Sequence, residues 1–427
     1  MKNNGEARIL CYAEVESANS VAEVSHVSPS SSVCLVARDH HPFAEFEPRP
    51  CRRAGPLVDR DGIGTPLRSG QRYNPCGRPF GPVVRHRAAA ACEFYQEASA
   101  KRGINRTDFE VSSCFAQLLG WVLSFWSDKR LALALDVTNL GSRFHVLCVS
   151  VLYGGIGIPV AWKILVGNQP EAWHPHWCEL LRRLKAAVDK DWQVVVLSDR
   201  GLESPRLFAT IVSLEWHPLM RVKAGGKFRP DGWHGWYWLR DFVRQPGGRF
   251  AMTGSAYKGE PMNCTLLACW DQGHAEPWLL LTDLPPSAGN PCWYAWRAWI
   301  EQGFKVTKSA GLNWQHTRMT HADRAERQFL AIAVTTLWLV AVGAEVERQA
   351  QIETIGPLRL RQANKVIAVG RSRRIRLFVL GAAAVIAAFA NRRCMPHGKL
   401  SQEYWPESTH ASTISEDDFI RRIDLQP

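Results

Sequence analysis

Twelve cysteines are present, yet no two stand in a C-x2-C pair, so the commonest frame for a structural zinc site is missing. They are also too sparse for a secreted disulfide scaffold, which leaves reduced thiols in a cytoplasm as the expectation. Met1 to Val21 shows no basic start followed by an apolar run, so no secretory signal is expected. Lys223-Ala-Gly-Gly-Lys227 lacks the spacing of a phosphate-binding loop, and no nucleotide cofactor is expected. No internal repeat is visible. Long apolar runs are scarce as well: Phe329–Ala344 is uncharged for 16 residues and Leu377–Ala390 for 14. As helices these runs would reach only about 24 and 21 Å, short of a bilayer core of about 30 Å, so both read as buried helices without a membrane partner.

What is abundant is positive charge and tryptophan. The formal net charge is +12 with a pI near 9.3, which favours a polyanionic partner because Lys and Arg displace counterions from phosphates. Anionic membranes or ribosomes would suit the same charge. Most of the 18 tryptophans lie between Trp121 and Trp314, where they serve a core or stack on unpaired bases.

Residues 1–87 form an atypical, poorly folding segment rich in Ser, Pro, Arg and His. Helical spacing marks 88–130, most clearly from Cys114 to Trp126. The period then changes, and 131–345 reads as one α/β domain. Strands are expected at Leu131–Val137, His145–Val151, Ile158–Leu165, Gln193–Asp199, Pro218–Val222 and Trp278–Asp283. Trp173 to Val188 has helical spacing, Ser204-Pro205 opens a helix to about Ser213, and Asn290 caps a helix running through Glu301. Residues 223–277, rich in Gly, Trp and polar side chains, read as a β-rich insertion before that last helix. Residues 346–427 complete the chain as a helical segment and a tail.

Two runs of β-formers end in an acid, Asp136 and Asp199. Neighbouring carboxylates at strand ends repel unless a cation or proton intervenes, and a hard divalent ion with oxygen ligands is the natural solution. Taken alone, either acid could equally cap a helix or bind nothing. A third acid comes with company. Tyr294, Arg297, Glu301 and Lys308 would fall within about 60° of one another on a continuous α-helix. Gly303 threatens that continuity, chiefly for Lys308. Arg297 and Glu301 alone would also suit a plain surface ion pair.

The pattern Tyr294-x2-Arg297-x3-Glu301-x6-Lys308 resembles the signature of bacterial DDE transposases of the insertion-sequence-four type. Leu135-Asp136-Val-Thr138 and Leu197-Ser-Asp199-Arg200-Gly201 resemble that family's first two acidic motifs, and the insertion before the glutamate is similar too. The resemblance implies an RNase H-like mixed sheet with flanking helices. It also implies metal-dependent cleavage of transposon ends and 3′-hydroxyl strand transfer into target DNA. Asp136, Asp199 and Glu301 would be catalytic and would bind Mg²⁺ or Mn²⁺, with two ions expected. Tyr294, Arg297 and Lys308 would bind DNA. Partners would be the terminal inverted repeats and the target, with a dimer in the synaptic complex, at the nucleoid of a bacterial cytoplasm. Trp233, Trp236 or Trp238 would stack on a flipped base.

Three alternatives stay open: an RNase H-like nuclease or resolvase without strand transfer, a DNA-binding relic, and a membrane-associated basic protein. His174-Pro-His176 with Cys178 is too tightly spaced for a metal cluster. Arg371-Ser-Arg-Arg374-Ile-Arg376 suits DNA phosphates or a solvated face equally.

Overall fold

Leu131, Ala132, Leu133, Ala134 and Leu135 are all buried in succession, which marks a strand covered on both faces. They belong to a computed structural model that describes residues 10–14, 32–36, 109–168, 172–354, 376–402, 404–406 and 414–424. Nearly all of the atypical segment 1–87, the first half of 88–130 and the basic residues Arg371 to Arg374 therefore lie outside the described residues. Within a first unit, β1 (Leu10–Glu14) and β2 (Ser32–Val36) pair antiparallel.

The second unit is built on a ten-stranded sheet. A short helix, α1 (Phe115–Leu123), leads into β3 (Arg130–Leu140), β4 (Phe144–Tyr153) and β5 (Ile156–Val166), an antiparallel meander. After α2 (His174–Lys185) the chain enters β6 (Gln193–Ser198), which lies parallel to β3. Then α3 (Pro205–Ser213), capped as expected by the Ser204 hydroxyl, returns it to β7 (His217–Arg221), parallel to β6. Trp162 of β5 packs edge-on against Phe115 at 4.7 Å and Phe329 at 5.1 Å, and with Trp177, Trp216 and Trp314 it is among the largest fully buried side chains.

The insertion continues this sheet instead of standing apart from it. Outward from β12 (Trp278–Thr282) follow β11 (Met262–Cys269), β10 (Arg249–Ala256), β8 (Lys227–Pro230) and β9 (Tyr237–Trp238). β12 pairs antiparallel with both β11 and β7 and so joins the insertion to the centre.

Beyond β12, the expected helix from Asn290 is two pieces. Asn290 caps as predicted, but Pro291–Arg297 is a 3₁₀ segment and α4 (Ala298–Lys308) begins after it. α5 (Ala322–Thr354) has 33 residues, about 50 Å at the usual rise, far longer than its uncharged run. By length and composition it could cross a membrane, yet 83% of its most apolar window is buried, against β5 and α6 (Arg376–Ala390). Last, α7 (Glu416–Asp424) docks on the insertion. Phe419 joins Trp233, Tyr237 and Phe242, and the Glu416 carboxylate accepts from the Tyr237 hydroxyl and from the backbone N–H groups of His234 and Gly235.

Candidate active site

Register brings the first two acids together. Leu135 of β3 pairs with Ser198 of β6, so Asp136 and Asp199, the next residues on two parallel strands, stand at one level. Each has one oxygen held by its own backbone. The Val137 N–H donates to Asp136 Oδ1 at 2.8 Å, and the Arg200 N–H donates to Asp199 Oδ1 at 2.7 Å. The remaining oxygens face the same space.

Glu301 is delivered by α4, and two glycines set how close that helix comes. A Cβ on Gly303 would lie 2.2 Å from the carbonyl oxygen of Gly157 in β5, and a Cβ on Gly157 would lie 2.7 Å from Cα of Ile300. Only glycine at both positions lets helix and strand backbones touch this way. Gly303, read from sequence as a threat to the helix, lies within it and is a packing device.

Arg297 ties the three acids together. Its Nη2 donates to Asp136 Oδ2 at 2.8 Å and lies 3.4 Å from Asp199 Oδ2, while its Nη1 donates to Glu301 Oε1 at 2.8 Å. The guanidinium is largely buried, with the side chain 14% exposed, and its Nε makes no hydrogen bond among the described residues. Burial raises the Asp136 carboxyl above its ordinary range, and repulsion from Asp199 and Glu301 adds to this against the pull of Arg297 and the Val137 N–H. Burial opposes the charge on Arg297, but the carboxylates outweigh it and hold the group more firmly protonated.

The other two members of the signature are placed differently. Tyr294 is buried, its ring edge-on to Trp278, and burial together with the Asp199 charge pushes its phenol up. Lys308 donates to Thr138 Oγ1 at 3.0 Å and to the Asn139 carbonyl at 3.1 Å, on the edge of the strand that carries Asp136. Of the tryptophans considered for base stacking, Trp233 is buried in the aromatic cluster under α7, and Trp236 lies under Arg229. Trp238 is 40% exposed between Lys227 and Arg240.

Residues 157–338 match the family described as Transposase DDE domain. That match supports a DDE transposase. The matched DDE domain covers less than half of the 427 residues and holds Asp199, Tyr294, Arg297, Glu301 and Lys308, while Asp136 lies ahead of it. No curated protein matches. Among solved structures, the cryo-EM piggyBac transposase synaptic complex with hairpin DNA is similar over 78% of this chain and 80% of that one, at 8% identity and a TM-score of 0.32. A likeness that slight carries no argument about the DDE site.

Two arginines to which the sequence assigned no role neighbour the site, Arg200 directly after Asp199 and Arg221 beside Tyr294. Arg200 and Arg221 both pair with Glu276, at 2.8 and 3.3 Å. Arg200 directly follows Asp199 in a recognised motif, a signal that was available. Arg221 had none beyond lying at the end of a strand.

Proposed function

We propose that this chain is a transposase that cuts DNA at the ends of a mobile element and joins the freed 3′-hydroxyl to target DNA. One observation carries the reading: Asp136, from the middle of β3 and not its end as the sequence suggested, Asp199, just past the end of β6, and Glu301, from a helix, all meet one cationic group. The sheet order supports an RNase H-like centre, with an antiparallel meander on one side of β3 and two parallel strands on the other.

The donor set suits Mg²⁺ or Mn²⁺, since all three side chains offer hard oxygens and both aspartates are oriented by backbone N–H groups. Among the described residues no three acidic, His or Cys side chains stand grouped as a ready metal site. Arg297 fills the ground between these carboxylates, so a guanidinium and divalent ions are alternative occupants. Asp136, Asp199 and Glu301 would together hold the ions. Bound there, the ions would supply an activated water or 3′-hydroxyl and stabilise the leaving oxygen.

The remaining steps belong to the chain itself. Arg297, once released from the acids, binds a DNA phosphate. Lys308 holds a phosphate at the edge of β3. Two such chains pair the element's ends in a synaptic dimer, with neither a membrane nor a nucleotide cofactor, at the nucleoid of a bacterial cytoplasm.

The test incubates purified protein with linear DNA carrying the inverted repeats that flank its gene, plus a supercoiled target, in Mg²⁺ or Mn²⁺. Joined products support a transposase. Cutting without joining would mark a nuclease, and binding without cutting a relic.

A further inference from the structure

Between β7, the insertion and the β11–β12 turn lies a cavity of about 470 Å³, lined by the guanidinium side chains of Arg200, Arg221, Arg240 and Arg244 and by two acids, Asp241 and Glu276. Four guanidinium groups therefore line the cleft against two carboxylates. The pairing inside it is uneven. Among the described residues, Asp241 pairs with Arg244 alone, at 3.2 Å. Glu276 is gripped from both sides, Oε2 by Arg200 Nη1 at 2.8 Å and Oε1 by Arg221 Nη2 at 3.3 Å. Arg240 lies over the Trp238 ring at 5.3 Å and has no carboxylate partner among the described residues.

We infer that this cleft is a binding pocket for a phosphodiester of a DNA strand, and that Glu276 holds the phosphate's place until DNA arrives. Two forked guanidinium groups around one planar anion are the arrangement that receives a phosphodiester, which carries the same single negative charge. The exchange is therefore neutral in charge. Glu276 sits on an exposed turn with its side chain 51% accessible, so it returns to water at little cost. Arg240 and Arg244 then extend the positive lining outward, with Trp270 beside them.

Two of the lining arginines neighbour residues of the carboxylate site. Arg200 follows Asp199 directly, and Arg221 faces the Tyr294 phenol, which also feels the Asp199 charge. The naming of the bound strand as DNA rests on the transposase reading; the pocket itself is tested separately.

The experiment measures binding of a fluorescein-labelled 20-base-pair duplex of arbitrary sequence in EDTA, by anisotropy across a salt series, so that no cleavage contributes. Glu276→Gln is expected to tighten binding several-fold. Arg240→Ala and Arg244→Ala are each expected to weaken it and to lower the slope of log K against log salt by about 0.9. Lys190→Ala, on the turn after α2, serves as the remote comparison and is expected to leave the slope nearly unchanged. Thermal melts confirm that each variant is folded. Unchanged or weaker binding by Glu276→Gln, or salt slopes for Arg240→Ala and Arg244→Ala that match Lys190→Ala, would overturn the pocket. Neither result depends on strand transfer, so failure of the pocket and failure of the transposase reading are told apart.

Discussion

Arg297 Nη2 lies 2.8 Å from Asp136 Oδ2 although 161 residues separate them in the chain. That contact makes the arginine an internal counter-ion for a cluster of like charges. Without it, three like charges would face one another, with Asp136 the most buried of them.

Removing that counter-ion gives the first prediction. Arg297→Ala should destabilise the protein by about 2–4 kcal/mol in EDTA, since breaking a buried ion pair leaves unpaired charge behind. Mg²⁺ or Mn²⁺ should restore most of the loss in the variant and stabilise the wild type less. Thermal melts with and without metal check this, and a variant that melts like wild type in EDTA would contradict it.

Gly303→Ala sets two effects against each other. Alanine is favoured over glycine inside a helix by about 1 kcal/mol. Its Cβ would, however, fall 2.2 Å from a backbone oxygen that no side-chain rotation can move. Overpacking of this kind costs about 1–3 kcal/mol, so a net loss of stability is expected, with Glu301 displaced and metal binding weakened. Urea denaturation decides, and a gain in stability would show that α4 and β5 do not meet this closely.

Acid should undock α7. Glu416 is held below the ordinary carboxylate range, first by the Tyr237 hydroxyl and then by the N–H groups of His234 and Gly235. A carboxyl depressed on folding contributes stability that is complete above its unfolded value near 4.5 and is lost as pH falls through the folded one. Fluorescence of Trp233, which packs on Phe419, should therefore change below about pH 4.5. Glu416→Gln should abolish that step, and an identical step in the variant would assign it elsewhere.

Much of the centre was readable from residues alone. Buried strands such as Gln193–Ser198 declare themselves by uninterrupted β-formers, and an acid directly after such a run is conspicuous. Ser204-Pro205 and Asn290 declared their caps. The 3₁₀ form of Pro291–Arg297 was not readable, because i+3 and i+4 patterns overlap over one turn. Nor was the inward turn of Arg297, since spacing gives a helix face but not which neighbour that face meets. The length of α5 escaped a count of uncharged residues, because its ends are polar and its middle is covered by β5 and α6. The union of the insertion with the central sheet, and the capture of Phe419 by its aromatic residues, depend on pairings between distant segments that no local pattern reports.

The most direct test compares wild type with Asp136→Asn, Asp199→Asn and Glu301→Gln in cleavage of an end-bearing DNA with Mg²⁺ or Mn²⁺, beside binding of the same DNA in EDTA. Each variant should lose cleavage to background while binding DNA about as well as wild type. Near-normal cleavage by any one of the three would contradict the shared carboxylate site.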